Sequence, residues 1–116
     1  MVKIGIVGSR RRNSTKDFQL VEKTFLSIYQ EGDELVSGGC PQGGDFFAEA
    51  LAKKHQVPIK IHYAKWNLLG KSAGFQRNGT IANEADILIA CVSLDRTGGT
   101  EDTIKKFKEP DRVILL

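Results

Sequence analysis

Arginines and an aspartate set among paired glycines are the residues of this chain best suited to chemistry. They fall in four short loops, each of which follows a strand-like apolar run. The loops read Gly8-Ser9-Arg10, then Ser37-Gly38-Gly39-Cys40-Pro41-Gln42-Gly43-Gly44-Asp45, then Gly70-Lys71-Ser72-Ala73-Gly74, and last Thr97-Gly98-Gly99-Thr100. Nine of the 12 glycines lie in them. A residue without a Cβ lets backbone N–H groups come close to a ligand. Where such a loop opens into a helix, the unpaired N–H groups of the first turn and the helix dipole favour an anion. Four loops at equivalent places predict one shared pocket for a phosphate-bearing ligand.

Each loop also has an ordinary explanation. In the first, Gly8 permits a tight turn, Ser9 offers a hydroxyl and Arg10 offers a planar fork for phosphate. The alternative is a plain strand-to-loop turn, with Arg11 and Arg12 solvated. The second loop is the most specific, because Gly38, Gly39, Gly43 and Gly44 can present several N–H groups beside Ser37. Asp45 either caps its helix or receives a ribose hydroxyl. Glu49, one turn further on, shares that face or is a surface glutamate. Trp66 is read either as a stacking platform for a base or as the closure of a core edge. Arg77 and Asn78 sit amid small residues, where a polar fork reaches a pocket or a close interface. Thr100 caps the last helix, meets a phosphate, or does both.

Other chemistries are excluded by spacing. His55 and His62 lack metal-ligand spacing, and His55 near a helix end is read as a surface residue. No Ser-His-Asp, Cys-His or zinc arrangement is present, so no metal is expected. Gly70-Lys71-Ser72 is not a Walker A loop, since the preceding glycine is missing at the required distance. Cys40 and Cys91 form no C-x-x-C pair; Cys91 is read as a small core residue, and no neighbouring His activates Cys40.

The 116 residues predict one domain over 1–116, with 41% hydrophobic and 27% charged residues, ordinary for a globular protein. No apolar run approaches the ~20 residues of a membrane span. The chain opens on a strand pattern rather than a signal peptide, so a cytoplasmic location is expected. A net charge of +3 and a pI near 9.0 help attract anions but fall short of a nucleic-acid surface.

These loops must be positioned by regular elements, and the pattern alternates strand and helix. Strands are expected at Val2–Val7, Asp33–Ser37, Pro58–Tyr63, Asp86–Val92 and Arg112–Leu116. The first helix starts at the Ser14/Asp17 signal, carries Phe18, Val21, Phe25 and Ile28 on one face, and ends at Gly32 as a C-cap. Further helices are expected at Asp45–His55, Ser72–Glu84 and Thr100–Lys108. Gly74 and Gly79 each cost the Ser72–Glu84 helix about 1 kcal/mol relative to alanine, which marks close packing or close approach of a ligand or partner chain. The order βαβαβαβαβ predicts a parallel sheet covered on both faces, with the loops at its carboxyl edge, where such folds bind ligands.

Taken together, Gly8-Ser9-Arg10, Ser37-Gly38-Gly39-Cys40-Pro41 with Gly44-Asp45, Ala73-Gly74 with Arg77-Asn78, and Gly98-Gly99-Thr100 resemble the SLOG superfamily of Rossmann-like domains. That group includes the DprA/Smf DNA-processing proteins and the Lonely Guy enzymes, and this chain is most similar to its YspA-like branch. The resemblance covers essentially the whole chain. It implies a three-layer αβα sandwich of about five parallel strands in the order 3-2-1-4-5. It also implies a nucleotide-derived ligand across the glycine loops, sensed or processed, and frequently a homodimer. The phosphate is expected on the loops at Gly38–Gly39 and Gly98–Thr100, with charge from Arg10 and Arg77 and the ribose at Asp45. The helix carrying Gly74 and Gly79 is the expected dimer face, and no further cofactor is expected.

The Lonely Guy enzymes cleave the N-glycosidic bond of nucleoside monophosphates with an arginine on the third helix and a glutamate after a Gly-Gly-x-Gly-Thr loop. Arg77 matches that arginine, but Thr103 stands where the glutamate is expected. Glu101 lies about 200° away around the helix, at roughly 100° per residue. For the enzyme alternative the candidate catalytic residues are therefore Arg77, Asp45 and Glu49; binding is the primary expectation. DprA-like binding of single-stranded DNA is the third class, with no basic stripe and interleaved aromatics beyond Arg10–Arg12 to support it.

Overall fold

The sheet is apolar on both faces, and that alone fixes the layering. Along Lys3–Gly8 (β1), Ile4 and Ile6 point to one side and Val7 to the other. Leu35 and Val36 of Glu34–Ser37 (β2) divide in the same way, as do Ile89 and Cys91 against Leu88 and Ala90 in Ile87–Cys91 (β4). Period-two side chains that are apolar on both faces belong to a parallel sheet buried between helices. The computed structural model, which describes residues 1–70 and 72–116, has this arrangement. With Ile59–Ile61 (β3) and Val113–Leu115 (β5), five strands form one all-parallel sheet in the order β3-β2-β1-β4-β5, the expected Rossmann-like order.

One face is covered by Thr15–Ile28 (α1) and Gly44–His55 (α2), through Val21, Phe25, Phe47 and Leu51. The other is covered by Ser72–Glu84 (α4) and by Phe107, which follows Gly99–Lys106 (α5). A short helix, Trp66–Leu69 (α3), and a single 3-10 turn at Pro110–Arg112 complete the chain; neither carries a sequence signal strong enough to have been expected. Among the described residues, no helix is long and apolar enough to cross a membrane.

The helix-start signal at Ser14 is a full capping box: its Oγ accepts from the Asp17 amide at 3.1 Å and Asp17 accepts from the Ser14 amide at 3.2 Å. The expected C-cap does not hold. The helix ends at Ile28, Tyr29 leaves it with extended backbone, and Gly32 instead turns the chain into β2. The buried Asp33 side chain holds the segment after this exit, accepting from the amides of Gln30 and Val2 at 2.9 Å each.

Candidate functional site

The carboxyl edge of the sheet opens into a cavity of about 430 Å³ at the switch point between β1 and β4, and three of the four glycine loops contribute to it. Gly8 is the last residue of β1, and the Ser9 amide continues the ladder by donating to the Cys91 carbonyl at 2.9 Å. Arg12 is not solvated, contrary to the sequence reading. Its Nη1 donates to the carbonyls of Val92 and Leu116 at 2.9 and 2.8 Å, and its Nε pairs with Asp17 at 2.8 Å. The guanidinium and the Ser14 contacts outweigh burial and hold the Asp17 carboxyl below its ordinary value. This anchor fixes the turn that presents Arg10 and Arg11. Arg10 lines the cavity, is exposed, and makes no side-chain hydrogen bond among the described residues.

The β2–α2 loop approaches from the second side. A Cβ on Gly44 would overlap the Gly8 amide and the Val7 carbonyl carbon, so only glycine lets the start of α2 lie directly on the end of β1. Asp45 does not cap α2: the N-cap is Gly43, with no side-chain cap bond. Instead the buried Asp45 carboxylate holds its own loop. Its Oδ1 lies 3.0 Å from the Ser37 hydroxyl, and its Oδ2 accepts from the Cys40 amide at 3.1 Å. Asp45 and Cys40 line the cavity, whereas Ser37, Gly38, Gly39 and Gly44, expected in the site, are not among its lining residues.

On the third side Arg77 Nη1 donates to the Gly38 carbonyl at 2.7 Å and its Nε to Asn78 Oδ1 at 3.1 Å. The buried Asn78 donates in turn to the Gly99 carbonyl at 3.2 Å and to Asp102 at 3.1 Å. Both residues line the cavity. Trp66 and Glu49 do not. The Trp66 indole lies over Gly74, where a Cβ would meet it at 3.1 Å, and Glu49 sits on α2 outside the lining residues. Gly74 is thus explained by packing within the chain, and Lys71 of the same loop lies outside the described residues.

The fourth side is the start of α5. Gly98 is its N-cap, with φ of 103° that a side chain would oppose, and no side chain among the described residues caps this end. Thr100 is not the cap; it lies in the first turn, lines the cavity, is 9% exposed, and its hydroxyl makes no hydrogen bond among the described residues. Glu101 pairs with Arg96 at 2.7 Å, and Asp102 accepts from both Lys106 at 2.8 Å and Asn78 at 3.1 Å. Neither first-turn carboxylate lines the cavity, so the positive end of the helix faces it. Thr103 also lines the cavity, with its hydroxyl 3.4 Å from the Gly99 carbonyl.

Sequence reasoning missed Arg11 and Asp95. Arg11 is exposed, as expected of a solvated residue, but it also forms a two-bond pair with Asp95 at the cavity mouth. The one available signal was the Asp95-Arg96-Thr97 stretch, a composition typical of side-chain-closed turns. His55 is also not a plain surface residue: it is partly buried, bonds Glu22 at 2.8 Å and packs near Phe25. Among the described residues, no group of three or more His, Cys, Asp or Glu can hold a metal.

Fold and site define an α/β Rossmann-like sandwich with a glycine-lined, mixed-charge cavity at the switch point. Comparison with protein-family models, curated proteins and solved structures returned no match.

Proposed function

We propose that this chain binds a nucleotide-derived, phosphate-bearing small molecule in the cavity between β1 and β4. The observation that carries the reading is the start of α5, a helix N-terminus with no side-chain cap among the described residues and, in its first turn, the buried Thr100 with its hydroxyl unpartnered among those residues. Arg10 and Arg77 supply positive charge to the same cavity. The phosphate sits against Gly98, Gly99 and Thr100, and the Asp45 carboxylate at the opposite wall accepts a ribose hydroxyl. The volume of about 430 Å³ lies within the range of small-molecule sites.

Binding is favoured over glycosidic cleavage. A general acid must reach its target, and Asp45 is the one acidic side chain among the described lining residues. Both of its oxygens already hold the β2–α2 loop. Mass spectrometry of small molecules released from the purified, denatured protein tests the reading, followed by a thermal-shift panel of nucleotides. Ligand at ~100 times its dissociation constant raises stability by about 2.7 kcal/mol. A panel without any shift sinks the proposal; release of free base revives catalysis.

A second copy of the chain is the proposed partner. Trp66, Leu68 and Phe75 are 55%, 79% and 58% exposed around the start of α4, an apolar surface that supports self-association there. A monomeric mass at micromolar concentration contradicts it.

A further inference from the structure

Arg11 lines the cavity, and its guanidinium is engaged by Asp95. Nη1 donates to Asp95 Oδ2 and Nη2 to Oδ1, both at 2.8 Å, and Nη2 reaches Thr97 Oγ1 at 2.9 Å. Thr97 directly precedes Gly98, the N-cap of α5. The two Asp95 oxygens have different duties. Oδ1 also builds the β4–α5 loop, accepting from Ser93 Oγ at 2.9 Å and from the amide and hydroxyl of Thr97 at 3.2 and 2.8 Å. Oδ2 serves Arg11 alone among the described residues. The Arg11 backbone is held separately, its amide donating to Ser9 Oγ at 3.1 Å, so the side chain can swing without disturbing the turn.

We propose that Arg11 is a ligand-exchangeable clasp: an anion seated at Gly98–Thr100 draws its guanidinium off Asp95, which acts as a built-in competitor that sets affinity. The proposal rests on the phosphate reading of the cavity. The side chains of Arg11 and Asp95 are 57% and 55% exposed, so solvent and salt screen the pair and little is lost by opening it. A phosphate offers the same fork a bidentate acceptor of higher charge, in the field of a helix N-terminus. The Arg11 hydrogen bonds, helped by Thr97 and Ser93, hold the Asp95 carboxyl well below the ordinary carboxylate range. The competitor is therefore charged at neutral pH.

Titration with inorganic pyrophosphate tests the clasp, read by NMR at the Arg11 side-chain N–H groups and the amides of residues 98–100. Asp95→Asn keeps an oxygen for the loop and removes the charge; it binds about threefold tighter than wild type. Arg11→Gln binds about tenfold more weakly. In wild type the Arg11 signal moves together with the 98–100 amides. Weaker binding by both variants makes Asp95 loop support only and overturns the clasp while the phosphate reading stands. Movement of the amides with a stationary Arg11 signal does the same. No amide response in any of the three proteins overturns both.

Discussion

Arg77 donates to the Gly38 carbonyl over 2.7 Å, a bond between a helix on one face of the sheet and a loop that leads to a helix on the other. Through Nε it also orients Asn78, which holds the start of α5. Two adjacent residues thus join three of the cavity's walls. Arg77→Ala is expected to cost about 1–3 kcal/mol in chemical denaturation and to weaken nucleotide binding. Arg77→Lys recovers part of the stability but not the affinity, because a point charge cannot keep both bonds and still present a fork. Equal recovery of both quantities contradicts this division of labour.

Asn78 is buried with its amide nitrogen 3.1 Å from Asp102. Asn78→Asp places a second carboxylate there and removes the donor, whereas Asn78→Ala only leaves partners unpaired. The aspartate is therefore the more damaging change, and alanine costs about 1–3 kcal/mol. Urea midpoints of the two variants check the order.

Two glycine-to-alanine changes have opposite signs. At Gly44 the new methyl collides with the end of β1, and overpacking costs about 1–3 kcal/mol or more. At Gly79 the nearest atom is Lys106 Cδ at 3.9 Å, so helix propensity dominates and stability rises by up to about 1 kcal/mol. Thermal denaturation distinguishes them. A Gly79→Ala protein that loses self-association without losing stability places a partner chain against that helix.

Glu22 links α1 to the end of α2, bonding Lys54 at 2.7 Å and His55 at 2.8 Å. These partners, Lys54 first, hold its carboxyl below the ordinary value of 4.5. Its contribution is therefore present above that value and is lost as pH falls through the lower folded-state value. Between about pH 5 and 3, Glu22→Gln should lose less stability than wild type. Parallel curves for the two proteins in that window contradict the linkage.

Arg12→Ala removes the bonds from the β1–α1 turn to Val92, Leu116 and Asp17. A loss of about 1–3 kcal/mol is expected, with faster amide exchange at residues 9–12 and at the C-terminus. Exchange unchanged at both places argues against the anchor.

The chain's periodicities by themselves determined the fold class, a parallel sheet covered on both faces. Doubly apolar strands such as Ile4–Val7 and Ile87–Ala90 leave no option but burial on both faces, and the capping box at Ser14 is local chemistry that needs no tertiary partner. The four loops were legible for the same reason, since a glycine requirement is written at the position that needs it. What the sequence could not carry is the choice of partner among many candidates. Arg10, Arg11 and Arg12 are identical in type and adjacent, yet one faces the cavity, one is held by Asp95, and one pins the C-terminus. Asp45 and Thr100 were each expected as possible helix caps and cap nothing; packing makes Asp45 a loop support at the cavity wall, leaves the Thr100 hydroxyl facing the cavity and lays Trp66 over Gly74. Side-chain destinations 80 or more residues apart depend on how the parallel strands bring distant loops to one edge, and only the assembled sheet decides that.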